Sequence, residues 1–173
     1  MACSQTLSGI PRDCESNAGG IKEISIANID DVASVTLDST GGAISAITMA
    51  TGKTFKKYYV KPAQSNFVAT PQFNELGEYV GEDGILTLAF GRMDATKRVQ
   101  VAALSVAELA VIFKDNNGIC WYLGFDRGVL RNGGDAQTGA AVTDANRYQL
   151  QLHSTDNQLP YPLTSEDVLE DVI

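Results

Sequence analysis

The sequence predicts a mainly β protein: an antiparallel β-sandwich or half-barrel with one inserted α-helix over about residues 94–110. Three observations predict it. Residues 111–124 (VIFKDNNGICWYLG) set two apolar, β-rich runs on either side of Asp115-Asn116-Asn117-Gly118. Asn and Gly tolerate the left-handed backbone that hairpin turns require. Residues 146–153 (NRYQLQLH) alternate strictly, with Tyr148, Leu150 and Leu152 facing in and Arg147, Gln149, Gln151 and His153 facing out. That is the signature of a half-buried antiparallel strand. Asp94 is a good helix N-cap, and Val99, Ala103, Val106 and Ala110 follow it on one helical face, predicting an alanine-rich buried stripe.

The remaining elements follow in chain order. Residues 1–20 are dense in Ser, Gly, Pro and Asn and end at Gly19-Gly20, which predicts an arm outside the core. Residues 21–27 alternate as a strand with Ile24 and Ile26 on one side. Two runs at 34–38 and 43–49 predict a hairpin around Ser39-Thr40-Gly41-Gly42, and Thr51-Gly52-Lys53 is the next turn. Strands are expected over 54–61 and 66–74, and Pro71 assigns the second to an edge or bulge because proline donates no ladder hydrogen bond. Residues 75–83 (ELGEYVGED) are expected to be an acidic loop, and 84–90 (GILTLAF) a strand packed on the core. A Gly133-Gly134 turn follows the central hairpin. The organisation expected is an arm at 1–20, a β domain at 21–163 and an acidic tail at 164–173, solvated or docked on a partner.

Composition narrows the function. The chain has 173 residues, 44% of them hydrophobic and 20% charged, which is ordinary for one globular domain. The net charge of −8 disfavours tight nucleic-acid binding, because like charge repels phosphates. No apolar run approaches the 18 residues of a membrane-spanning helix, and the first residues lack the basic and apolar parts of a secretory signal. Cys3, Cys14 and Cys120 do not make a disulfide framework; free thiols in a reducing cytosol are the simpler reading, with Cys3–Cys14 as the one pairing open.

A search for chemistry assigns no catalytic, cofactor-binding or metal residue. Thr51-Gly52-Lys53-Thr54 looks like the end of a phosphate loop, but Ile47 stands where its first glycine belongs. Aligning Gly118 on the invariant glycine of a calcium loop puts Phe113 on the first ligand position and Gly124 on the position of the bidentate Glu. His153 is the lone histidine, and Cys120 in an apolar strand reads as a small core residue. The carboxylates at Glu75, Glu78, Glu82 and Asp83, and at Glu166, Asp167, Glu170 and Asp171, read as solvated acidic loops. The charge layout is more informative: Lys53, Lys56, Lys57 and Lys61 precede the 75–83 acidic run, a pairing suited to head-to-tail assembly.

Residues 90–98 (FGRMDATKR), a helix, then KDNNG at 114–118 and WYLG at 121–124 resemble the succession found in tail tube (major tail) proteins of tailed phages infecting Bacteroidetes-type hosts. The likeness continues through Thr138-Gly139, Asp144 and the 146–152 strand, and begins with IPRDC at 10–14, Gly19-Gly20-Ile21 and ANIDD at 27–31. Arg147 stands where that pattern has glycine. The resemblance implies a virion structural protein, assembled in the host cytoplasm and resident in the tail. Its subunits would form hexameric rings that stack on themselves, with a negatively charged β-lined lumen through which DNA passes. It implies no enzyme activity and no cofactor. On this reading the strands within 54–73 line or flank the lumen, and the arm and tail touch neighbouring subunits. The alternatives are a head–tail connector ring of the same fold and, from another class, a carbohydrate-binding β-sandwich using Trp121, Tyr58, Tyr59 and Tyr122.

Overall fold

The structure, a computed structural model, describes residues 9, 10, 12 and 14–173. The pairing of Cys3 with Cys14 and half of the N-terminal arm therefore lie outside the described residues. The elements are β1 (Ile21–Asn28), β2 (Val32–Leu37), β3 (Ile44–Met49), β4 (Lys56–Tyr58), β5 (Asn66–Phe73), β6 (Tyr79–Gly91), α1 (Ala95–Leu104), β7 (Leu109–Asp115), β8 (Cys120–Leu123), β9 (Val129–Gly133), β10 (Ala136–Gln137), β11 (Arg147–Asp156), β12 (Tyr161–Pro162) and α2 (Asp167–Glu170). The fold is mainly β, as the alternation predicts.

The strands stack in three layers because the apolar residues of β7 point both ways. One layer is β5–β6–β11–β9, antiparallel throughout. The middle layer is β4–β1–β7–β8–β12, and a single pair, Leu109 with Val129, joins it to the first. The facing sides of these two layers bury Leu86, Leu88, Leu150 and Leu152 against Ile24, Ile26, Val111 and Phe113, and Phe67 meets Phe113 at 5.2 Å between ring centroids. The opposite side of the middle layer carries Ala110, Ile112, Cys120 and Tyr122. The β2–β3 hairpin and α2 cover these residues with Ile44, Ile47 and Leu169. Each buried Leu or Ile contributes about 1.5–3 kcal/mol through water exclusion, so alternation on β7 ties two cores to one strand.

The central hairpin forms as expected, pairing Val111 with Leu123 and Phe113 with Trp121. Gly118 takes φ +91°, open to glycine and costly to β-branched residues. Asp115 organises the turn: its carboxylate accepts from the amides of Asn117 and Ile119, both at 2.9 Å, and from Trp121 Nε1 at 3.2 Å. Asp115→Ala is expected to lower stability by about 1–3 kcal/mol, since three donors lose their acceptor; urea denaturation followed by Trp121 fluorescence measures this directly. Pro71 lies in β5 at the edge of its layer, as its missing N–H requires.

Several expectations are corrected. The helix stops at Leu104 rather than 110, because Leu109 and Ala110 pair with Asn28 and Ala27 as the start of β7. Its expected stripe is also wrong: Val99 and Val106 are 59% and 88% exposed, while Leu104 is buried and Val101 packs beside it. The strand expected over 54–61 shrinks to Lys56–Tyr58. The acidic loop expected at 75–83 is only a turn, since β6 already begins at Tyr79. Residues 164–173 are not a solvated tail. Leu169 and Val172 are buried, and the Val172 carbonyl accepts from the Phe55 amide at 2.8 Å.

Salt links and caps make the fold acid-sensitive. Hydrogen bonds from Lys53 to Asp31, from Lys97 to Asp94 and from Lys114 to Glu166 hold these carboxyls below their usual range. The Thr40 hydroxyl does the same for Asp38. A carboxyl with a depressed folded pKa contributes stability above its unfolded pKa and loses it as pH falls. Stability is thus expected to be flat above about pH 5 and to fall below about pH 4, where unfolded carboxyls protonate; thermal midpoints from pH 7 to 3 check this.

Candidate functional site

The strongest concentration of chemistry lies at the C-terminal end of β6. There Gly91 sits opposite Arg147 in the β6–β11 register. With no Cβ at Gly91, the Lys61 side chain lies across the strand; a Cβ there would come within 2.7 Å of Lys61 Cε. The backbone then turns at Arg92, which takes φ +59°, the left-handed region that a non-glycine residue enters at a cost. Asn146 holds that conformation twice over: its carbonyl accepts from the Arg92 amide at 2.8 Å, and its side-chain oxygen accepts from the Met93 amide at 2.9 Å. Arg147 is half-buried. One terminal nitrogen donates to Gln64 Oε1 at 3.1 Å, and its buried Nε has no partner.

Lys61, Gln64, Arg92 and Arg147 line one open cleft of about 520 Å³. No ion pair among the described residues involves any of its three cations. In a chain of net charge −8, three unneutralised cations around one cleft create a local positive field. Guanidinium forks suit carboxylate or phosphate oxygens, and an amide donor such as that of Gln64 is compatible with either. The arrangement can hold an oxyanion.

The lysine patch expected from sequence resolves differently. Lys53 pairs with Asp31 at 3.0 Å, Lys57 with Glu23 at 3.1 Å, and Lys56 donates to Thr54 Oγ1 at 2.9 Å. Lys61 alone joins the cleft. Arg92 and Arg147 were missed as partners because their meeting depends on the antiparallel register of β6 on β11 and on the reach of Lys61. The nearest signal in the sequence is that Gly91-Arg92 precedes a capped helix start.

At the opposite end of the same strand, the β5–β6 turn carries Glu75 and Glu78 with exposed Phe73, Leu76, Tyr79 and Val80. Asn74 builds this turn, accepting from the Leu76 amide at 2.9 Å and the Glu78 amide at 3.0 Å, while its Nδ2 donates to Glu78. Close behind, Glu82 is 9% exposed; one carboxylate oxygen accepts from the Tyr79 hydroxyl and the other has no partner.

The aromatic residues weighed for sugar stacking do not form a platform. Tyr122 is buried in the second core, where burial and then the Asp156 charge push its phenol far up. Trp121 lines a separate cleft with Phe67 and Phe113, across which Asn17–Gly20 of the arm are strapped to Asn116 and Asn117. Tyr58 and Tyr59 line another, beside α1. His153 contacts Asp83 on the outer face of its sheet. Among the described residues, no three His, Cys, Asp or Glu side chains gather where a metal ion could sit, and no helix is long and apolar enough to cross a membrane. Comparison with known proteins finds no matching family model, no similar curated protein and no similar solved structure.

Proposed function

We propose that this protein is a self-assembling structural subunit of a phage tail, the tail tube protein whose stacked hexameric rings conduct DNA. The observation that carries the reading is the β5–β6 hairpin. Among the described residues the eight-residue β5 pairs on one side only, with β6, and the hairpin ends in an exposed apolar tip. An open edge of that length templates pairing with another chain, and Pro71 blunts it at one position only. A closed ring of copies would cover such an edge, so the edge becomes an asset in an oligomer and a hazard in a monomer.

Further support comes from the outer face of the β5–β6–β11–β9 layer. Asn66, Thr70, Thr87, Gln149, Gln151 and Thr155 lie on it, His153 contacts Asp83 there, and Arg147 marks its end beside Gly91. Apart from the cations gathered at its Gly91 end, this face is polar with few charges, which suits the wall of a water-filled conduit because sliding DNA requires weak attraction. Val68 and Ile85 pair on that face and Leu130 lies beyond His153 in the same row, so three exposed apolar side chains are available to a neighbouring copy.

Negative-stain microscopy of the purified protein tests the proposal. Rings or tubes with a pore wide enough for duplex DNA are the expected result. A monodisperse monomer at high concentration would rule the reading out.

A further inference from the structure

Resting on the assembly reading above, we propose that the cleft of Lys61, Arg92 and Arg147 binds the acidic β5–β6 turn, with Glu75 foremost, of a second copy of this chain. The cleft is then the socket, and the turn the plug, of a head-to-tail junction.

Strand β6 separates the two halves of this junction. It runs 13 residues, about 40 Å at roughly 3.3 Å per residue, and its two ends carry opposite charge. Glu75 and Glu78 precede its first residue; Gly91, Arg92 and the crossing Lys61 mark its last. One strand thus displays an anionic apolar tip at one end and an unneutralised cationic cleft at the other. Copies translated along the strand direction bring unlike ends together, and such a heterologous contact propagates without closing, as a stack of rings requires.

The socket is built rather than incidental. Arg92 is kept in a costly left-handed conformation by two hydrogen bonds from its own backbone region to Asn146. Arg147 holds its guanidinium at the cleft, and among the described residues its one hydrogen bond is to Gln64 Oε1. Gly91 is kept bare so that Lys61 can lie over it. The plug is equally preformed, since Asn74 fixes the turn and leaves Glu75 exposed, without a hydrogen-bond partner among the described residues. Phe73 and Leu76 beside it would add apolar burial to the charge pairing, which by itself chiefly sets register and specificity.

DNA phosphate is the competing ligand for three cations. The chain's net charge of −8 opposes it, and a subunit that lets DNA pass gains nothing from gripping it.

A charge-swap series read by analytical ultracentrifugation tests the proposal. Lys61→Glu and Glu75→Lys each alter an exposed side chain, so thermal unfolding of both should match the parent. Each is expected to weaken self-association by about tenfold or more, and the double variant K61E/E75K to recover most of it. Single variants that associate like the parent, or a double variant that recovers nothing, would overturn the socket. A parent that never associates would sink the assembly reading but still leave the socket decidable. A peptide spanning residues 73–79 would then be titrated into the monomer by NMR. Saturable shifts at the amides of Gly91, Arg92 and Arg147 support the cleft, and their absence overturns it. Saturation of those same amides by a duplex oligonucleotide, with no response to the peptide, would replace the carboxylate by phosphate and also overturn the proposal.

Discussion

Replacing Gly134 by alanine is expected to cost about 3 kcal/mol or more and to leave little soluble protein. The residue follows β9 and turns the chain over β11 with φ +118°. A Cβ there would lie 2.1 Å from the Gln149 carbonyl oxygen and 2.9 Å from the Leu150 Cα, both backbone atoms of a strand buried in the first core. Neither can retreat without breaking the bond from the Gln149 amide to the Asp135 carbonyl, at 2.7 Å, and unseating Leu150. Gly133→Ala is the control. Its added Cβ meets only the far end of the Gln151 side chain at 2.8 Å, with no left-handed backbone, so its cost should stay below about 1 kcal/mol. Guanidinium denaturation of both variants gives the comparison, and equal losses would show the close approach to be irrelevant.

Truncation after Leu163 is expected to destabilise on a similar scale, by roughly 3–6 kcal/mol from two lost apolar side chains at about 1.5–3 kcal/mol each. Leu169 and Val172 are 5% and 4% exposed, so their removal uncovers Phe55, Ile112 and Tyr122 in the second core. The Phe55 amide loses its acceptor, and Lys114 loses Glu166, which it contacts at 2.6 Å. Increased binding of a hydrophobic dye and a lowered thermal midpoint measure the effect. A truncated chain as stable as the parent would restore the picture of a solvated tail.

Much of the fold is legible in the sequence where local pattern and tertiary role agree. The Asp-Asn-Asn-Gly turn needs a left-handed residue and has one, and the alternation of Tyr148, Leu150 and Leu152 matches a strand with one wet face. Pro71 can only sit where its nitrogen owes no hydrogen bond, and β5 is that place. The errors arise where two patterns compete. Val99, Ala103, Val106 and Ala110 satisfy a helical period, but so do Lys97, Val101 and Leu104, and of these Val101 and Leu104 are the ones that pack on the core. Ala110 went to a strand because β1 offered it a partner. The C-terminal segment misleads for a simpler reason: its carboxylates dominate composition, while Leu169 and Val172 alone decide where it docks. The cationic cleft is the least legible part. Lys61, Arg92 and Arg147 are far apart in sequence, each unremarkable in its own element, and only strand register brings them to one place.

The two-sided burial of β7 has a kinetic corollary. Its amides lie between two cores and are flanked by β1 on one edge and β8 on the other. No small opening of the molecule can expose them, so their hydrogens should exchange with solvent only through global unfolding. Among the described residues the β2–β3 pair bonds to no other strand through a ladder, and a single bridge from Ile44 to Leu163 connects it laterally. Lifting it together with α2 would break the Phe55–Val172 and Lys114–Glu166 contacts and expose the second core while leaving the first covered. Deuterium uptake should therefore proceed in two steps, the outer hairpin first and β7 last. The protein would then pass through a state that is half uncovered yet still holds its principal sandwich.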